Sequence, residues 1–292
     1  MVTRIREVTP ASIFFAESLP YYVNRVEESY GLHYHEHEFT EVCYVGEGRG
    51  YHHIEEETIP VSRGDLFILP LGTSHVFRPH SPSRGDPLVV YNFIFVADRV
   101  AEALRGFPAL SPSEETLRLL NLQPGPATWK PIRDTSGFFR TFFANAYEEF
   151  RQRRIGYIPR LHALFVLLVT EIDRHLEPTG GGTERRGTER LIGDVLAHLR
   201  DKEAFRLSAA EAAAIVQMSE RHFHRMFAKE TGYTFNRYVQ NLRIERSCEL
   251  LRTTRWTVPE IAEAVGYQDK GYFQKLFKKA TGQTPRAYRN GE

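Results

Sequence analysis

The feature that most restricts what this chain can fold into is an internal repeat near its C-terminal end. Residues 223–238 begin Phe223-His224-Arg225-Met226-Phe227 and run through Thr231-Gly232 to Tyr238. Fifty positions later Phe273-Gln274-Lys275-Leu276-Phe277 runs through Thr281-Gly282 to Tyr288, with Phe, Phe, Lys, Thr, Gly, Thr and Tyr in register. A run that returns with the same punctuation is one supersecondary unit used twice. Each copy follows a segment with capping-box spacing, Ser208-Ala209-Ala210-Glu211 and Thr257-Val258-Pro259-Glu260, where hydroxyl and acid satisfy each other's backbone amides. Ser219 and Asp269 suit the N-cap of the next helix, and Gly232 and Gly282 suit its end. Gly266 permits a tight turn. The pattern predicts helix, turn, capped helix, twice over. Phe235, Tyr238, Val239, Leu242, Leu250 and Leu251 predict one helix joining the units.

The apolar residues fix which face of each second helix is left over. Phe223, Met226 and Phe227 in the first unit, and Phe273, Leu276 and Phe277 in the second, must face a core. The opposite faces then carry Arg221, His224, Arg225 and Lys229, and Lys270, Gln274, Lys275 and Lys278. Arginine and lysine pair with guanine edges, glutamine pairs with adenine, and spare cations meet phosphate. An ordinary solvated helix face explains one such ridge; a matched pair points to double-stranded DNA. Residues 190–292 hold 18 Lys/Arg against 12 Asp/Glu, while the chain as a whole carries a formal charge of only +1. A basic end on an otherwise acidic chain agrees with a polyanionic partner.

This stretch resembles the DNA-binding domain of the AraC/XylS family of bacterial transcription regulators. The likeness rests on Ala262-Glu263-Ala264-Val265-Gly266-Tyr267, on Tyr272-Phe273 through Phe277-Lys278, and on Thr281-Gly282-Gln283-Thr284-Pro285-Arg286-Ala287-Tyr288-Arg289. It implies two helix-turn-helix units on a linking helix, with Arg221, His224 and Arg225 base-facing in the first and Lys270 and Lys275 in the second. Gly271 falls at a further reading position and has no side chain to read with. RNA polymerase is a further partner that the resemblance brings in.

The 292 residues exceed one ordinary core, so two domains are expected. With 41% hydrophobic and 26% charged residues, the chain is neither disordered nor fibrous. Its longest apolar run, Ala163–Val169, is far short of the ~20 residues of a membrane span. Ile13–Ala16 is too short for a signal-peptide core, so a cytoplasmic, non-membrane protein is expected. Cys43 and Cys248 read as reduced thiols. Residues 1–135 read as β, with Glu41–Val45, Leu66–Leu69 and Leu88–Val96 between Gly and Pro punctuation. Residues 136–177 switch to helical period, with Phe138, Phe139, Phe142, Phe143, Tyr147 and Phe150 in one stripe. They predict a hairpin packed on the barrel, a dimerisation element, or both. Residues 178–189, rich in Gly, Thr and charge, predict a flexible tether, and residues 190–292 form the helical domain. The fold class expected is α+β in two domains, a β-barrel with a helical hairpin followed by an all-α double helix-turn-helix.

Seven of the twelve histidines fall in residues 33–80. On a strand His35, His37 and Glu41 share one face, and His75 can join them from a neighbour. The runs His35-Glu36-His37-Glu38-Phe39-Thr40-Glu41 and Gly64 through His75 resemble the two motifs of the cupin barrel, although the first lacks its leading glycine and the second ends at Pro79 in place of asparagine. The resemblance implies that His35, His37, Glu41 and His75 form a set able to hold a divalent transition metal. A polar effector pocket without metal, and histidines of core or surface, are the other readings. His52, His53 and His80 look like surface residues. A pocket for a small molecule, a sugar above all, would draw polar groups from Arg25, His35, His37, Glu41, His75 and Asn92, and walls from Tyr44, Tyr91, Phe93 and Phe95. The expectation is a homodimeric, effector-controlled regulator that needs no cofactor and no covalent catalysis. The alternatives are a metal- or pH-responsive regulator, and a metal-dependent cupin enzyme fused to a DNA-binding domain.

Overall fold

The computed structural model describes residues 7–15, 19–80, 87–107, 110–177, 195, 196, 199 and 207–290. The expected tether at 178–189 lies outside the described residues. Short strands bounded by Gly and Pro build two facing five-stranded sheets. They comprise β1 (Glu7–Thr9), β2 (Tyr21–Glu27), β3 (His35–His37), β4 (Thr40–Glu47), β5 (Arg49–Ile54), β6 (Glu57–Ser62), β7 (Asp65–Leu69), β8 (His75–Pro79), β9 (Val89–Phe95) and β10 (Lys130–Arg133). One sheet runs β1-β3-β8-β5-β6 and the other β10-β7-β4-β9-β2. All pairings are antiparallel except β1 with β3. The first 135 residues are not purely β: α1 (Ala97–Arg105) and α2 (Glu114–Leu119) follow β9, the latter capped by the Ser113 hydroxyl accepting from Thr116 N.

Because strand side chains alternate, the second sheet has two apolar faces, and both are covered. Cys43, Val45, Phe67, Leu69 and Val90 meet Ile54, Val61 and Phe77 of the opposite sheet and close one end of the barrel. Tyr21, Val23, Val42, Tyr44, Phe93 and Phe95 point the other way, into the helical hairpin of α3 (Phe138–Gln152) and α4 (Tyr157–Leu176). The aromatic stripe of α3 is thus spent on the barrel: Phe143 stacks on Tyr44 at 5.3 Å and Phe142 meets Phe93 at 5.5 Å. Burial of several large rings, each contributing roughly 1.5–3 kcal/mol, fixes the hairpin there. On the far side of α4, Ala163 and Leu167 remain exposed.

The C-terminal domain consists of α5 (Ala209–Ile215), α6 (Glu220–Thr231), α7 (Phe235–Thr253), α8 (Val258–Ala264), α9 (Lys270–Thr281) and α10 (Pro285–Asn290). Both capping boxes form, Ser208 with Glu211 and Thr257 with Glu260. Ser219 and Asp269 accept from His222 N and Tyr272 N, and Gly232 and Gly282 end their helices in the left-handed region. The two turns differ in length. Gly266 (φ 86°) takes the left-handed position in the second, whereas Gln217 (φ 53°) takes it in the first. Two small cores result, one around Phe223, Phe227 and Phe235, the other around Ile261, Phe273 and Phe277, with α7 contributing to both.

This domain is seated on the barrel through α7 and its flanks. Tyr233 donates its hydroxyl to Gly50 O at 2.9 Å, Arg237 donates to His80 O at 2.9 Å, and Tyr238 donates to Thr58 O. Tyr51 of β5 packs into the core of the first helix-turn-helix unit.

Candidate functional site

Two sites emerge, one on the helical domain and one inside the barrel. On α6 the core side is Phe223 and Phe227, both fully buried. Arg221, Arg225 and Lys229 are exposed on the other side, with His224 half-exposed and 3.6 Å from Glu220. On α9 Phe273 and Phe277 are buried, and Lys270, Gln274, Lys275 and Lys278 are exposed. Every residue assigned to the DNA-facing ridges therefore stands clear of the protein interior. Each ridge lies on a capped second helix, the element such units place in a major groove. Gly271 is exposed between Lys270 and Tyr272, whose ring is 54% exposed and adds an aromatic to that ridge that sequence reasoning did not single out.

Inside the barrel a cavity of about 190 Å³ is lined by Asn24, Val26, Glu28, His35, His37, Phe39, Glu41, His75, Phe77, Asn92 and Ile94, among others. Glu41 is its charged centre: its Oε2 lies 2.8 Å from His37 Nε2 and 3.1 Å from His75 Nε2, and the two Nε2 atoms are 3.1 Å apart. His37 Nδ1 faces Phe39 O at 3.1 Å and His35 Nδ1 faces His33 O at 2.9 Å. A carbonyl oxygen only accepts, so each Nδ1 carries the hydrogen and each Nε2 presents a lone pair or a second proton. His75 is oriented from behind by His52, whose Nε2 lies 3.0 Å from His75 Nδ1 and whose ring stacks on Phe77 at 3.8 Å. Asn24 and Asn92 face each other across β2 and β9. Both amide oxygens are buried without a partner among the described residues.

Burial and the central carboxylate set the charges. Burial works to raise the Glu41 carboxyl, but His37 and His75 beside it outweigh that and hold it well below the usual range. Burial works to lower His37, and Glu41 outweighs it, so that ring's pKa is raised. Burial lowers His75 to about 4 and drives His52 well below its ordinary value. Glu28, buried and next to the Glu41 charge, is pushed up to about 8. The lumen at neutral pH holds one ionised acid, one neutral acid and mostly neutral imidazoles.

The sequence-chosen pocket residues divide cleanly. His35, His37, Glu41, His75 and Asn92 converge on the cavity. Arg25, Tyr44 and Tyr91 do not. They occupy the opposite parity of β2, β4 and β9, where Arg25 pairs with Glu47 at 2.9 Å and lies over the Tyr91 ring at 5.9 Å, and Tyr44 meets Phe143. Phe93 and Phe95, expected as walls, serve the helical hairpin for the same reason. Nor are His52 and His53 surface residues: they are 0% and 5% exposed. His52 points inward behind His75, while His53 points out toward α7 and meets Thr58 Oγ1 at 2.9 Å. His80 is half-buried against Tyr233. Asn24, Glu28 and Phe77 line the cavity and were missed: Asn24 lies on a sheet apolar on both faces, where alternation alone does not tell lumen from hairpin side, Glu28 follows the end of β2, and Phe77 sits on β8 of the other sheet. Cys43 and Cys248 are free and buried. No described helix is long and apolar enough to cross a membrane.

Comparison with known proteins bears on both sites. Residues 212–291 match the family described as a helix-turn-helix domain, and residues 21–170 match the AraC-like ligand binding domain. An uncharacterised HTH-type transcriptional regulator of Bacillus subtilis strain 168, YfiF, is 25% identical over 295 residues, covering 94% of this chain and 88% of its own. The HTH-type transcriptional activator RhaR of Escherichia coli K12 is 27% identical over 262 residues, covering 88% and 86%. Among solved structures, the C-terminal domain of the response regulator yesN of Fusobacterium nucleatum is 30% identical. It covers 36% of this chain and 98% of its own, with a TM-score of 0.31.

Proposed function

This chain belongs to the AraC family of helix-turn-helix transcription regulators, and we propose that it reads its operator with α6 and α9 under the control of a carbohydrate-class effector held in the barrel. DNA binding and a ligand-binding domain come with the family. The observation that carries the reading of the operator is the repeated, capped and exposed ridge, Arg221, Arg225 and Lys229 on one helix and Lys270, Lys275 and Lys278 on the other. Arginine and lysine at these places give bidentate or point contacts to guanine and phosphate.

The effector class is inferred from the lumen. Two buried amide oxygens without partners among the described residues, the Glu41 carboxylate and the His35 Nε2 lone pair are a set of acceptors. Leaving buried acceptors unmade is costly, so the matching ligand is one rich in hydroxyl donors. Phe39, Phe77 and Ile94 supply apolar surface for the carbon faces of a sugar ring. No step of this reading makes or breaks a covalent bond.

A second reading is favoured by one observation. His37 Nε2, His75 Nε2 and Glu41 Oε2 lie within 3.1 Å of one another, and His35 offers a further nitrogen. Carbonyls of Phe39 and His33, and His52, orient the rings from behind, as the partners of metal-bound imidazoles do. The donor set fits a divalent transition metal, which would act as a Lewis-acid anchor for an effector oxygen. One experiment separates the readings: thermal unfolding of the full-length protein with single monosaccharides, and separately with Zn²⁺, Mn²⁺ or EDTA. A ligand at one hundred times its Kd stabilises by about 2.7 kcal/mol, a shift of several degrees. Stabilisation by a sugar with no response to metal or EDTA supports the first reading. A response to metal that His37→Ala abolishes supports the second, and no response to any sugar rejects the first.

A further inference from the structure

The cavity wall and the seat of the DNA-binding domain share two pieces of chain. The first is β8. Its inward residues His75 and Phe77 line the cavity, and its outward residue Arg78 is fully buried against the helical domain. Arg78 Nε donates to Glu245 Oε2 at 2.7 Å and its Nη2 to Glu245 Oε1 at 3.2 Å, a two-pronged pair with α7. The second is the turn after β2. Glu28 lines the cavity, and two residues on Tyr30 is buried in the core of the second helix-turn-helix unit. The Tyr30 hydroxyl donates to Asn241 Oδ1 at 3.1 Å, and its carbonyl accepts from the Tyr288 hydroxyl at 2.9 Å. Arg78 also ties the two pieces together. Its Nη1 donates to Ser29 O at 3.1 Å and Leu32 O at 2.8 Å, and its guanidinium lies 5.5 Å from the centre of the Tyr30 ring.

A fully buried guanidinium with all three nitrogens engaged cannot shift by degrees. Moving it away from Glu245 strands a fully buried charge, which is strongly unfavourable, so the contact is either made or broken. Elements with two discrete arrangements are what couple distant sites. We propose that the Arg78–Glu245 pair and the Glu28–Leu32 turn relay occupancy of the barrel to the DNA-binding domain. A ligand that repositions His75, Phe77 or Glu28 alters the seat of α7, and with it the pose of both reading helices. The relay rests on the lumen being the effector site, and linkage makes it reciprocal: operator DNA must alter effector affinity by the same factor.

The test uses the full-length protein and a duplex selected by it from a random pool, with Kd read by fluorescence anisotropy. His75→Gln and Glu28→Gln perturb the lumen side of the two pieces, and Arg78→Met and Glu245→Gln break the relay. The lumen substitutions should each shift operator Kd by about fivefold or more in the wild-type background. They should leave it unchanged within about twofold when combined with Arg78→Met or Glu245→Gln. Glu245→Gln keeps the side-chain shape, so agreement between the two relay variants separates uncoupling from lost fold. Equal shifts in both backgrounds, or no shift from either lumen substitution, overturn the relay. If no sugar stabilises the protein but the non-additivity is found, the carbohydrate assignment fails and the relay stands. If a sugar stabilises it and the shifts are additive, the relay alone fails.

Discussion

Glu28 is held in a place that opposes its ionisation, and this has a measurable sign. An ordinary glutamate loses its proton near 4.5, whereas burial and the Glu41 charge raise Glu28 to about 8. Between those values the folded chain keeps a proton that the unfolded chain has released, so this residue's contribution to stability falls as pH rises from about 4.5 to about 8. Glu28→Gln should remove that part of the slope. The urea midpoint of the variant should decline less between pH 5 and pH 8 than that of the wild type; parallel declines would show that Glu28 ionises freely. At this scale the sequence exposed part of the site. The two-residue period puts His35 and His37 on one face of β3, but Glu41 does not share their strand as its spacing suggests: it reaches them from β4 of the opposite sheet, and His75 joins from β8. The adjacent His52 and His53 give no such signal. They point to opposite sides of β5, one behind His75 and the other toward α7, and only the fold decides which.

The helices of the C-terminal domain were the most legible elements, for a local reason. Caps, a glycine stop and an apolar face are short-range signals, and the repeat states each of them twice. Ser208→Ala and Thr257→Ala each remove a hydroxyl that accepts from the third helical amide and donates to the paired glutamate. Each should lower the stability of the full-length protein by about 1 kcal/mol, read from the loss of helical circular dichroism in urea. An unchanged midpoint for both would mean that the caps do not support these helices. The strands were harder to place. Arg25, Tyr44 and Tyr91 have the residue types of a binding pocket, yet face away from it because the helical hairpin covers the outer side of their sheet. A sheet buried on both faces loses the polar–apolar alternation that would assign its sides. The helices α1 and α2 went unread because they are short insertions after β9, held by tertiary contacts rather than by a long periodic pattern: α1 by Val100 in the hairpin core, α2 by Ser113 and Thr116 with Asp173.

At the scale of the molecule, the barrel holds the helical domain by α7 and leaves α6 and α9 facing solvent. Nothing in the sequence foretold that seat. Its contacts join residues more than 150 positions apart, such as Arg78 with Glu245 and Tyr30 with Asn241, and each reads in isolation as an ordinary polar residue. The seat leaves the ridges of α6 and α9 exposed, so the proposed operator contact draws on two ridges of one chain. Hydroxyl-radical footprinting of the full-length protein on a duplex selected from a random pool tests this most directly. The wild type should protect two patches spaced by one helical turn, about 10 base pairs. Arg225→Ala should weaken the patch under α6 and Lys275→Ala the patch under α9, each at a cost of ~1–3 kcal/mol in affinity. A single patch, or footprints and affinities that neither substitution alters, would contradict the account.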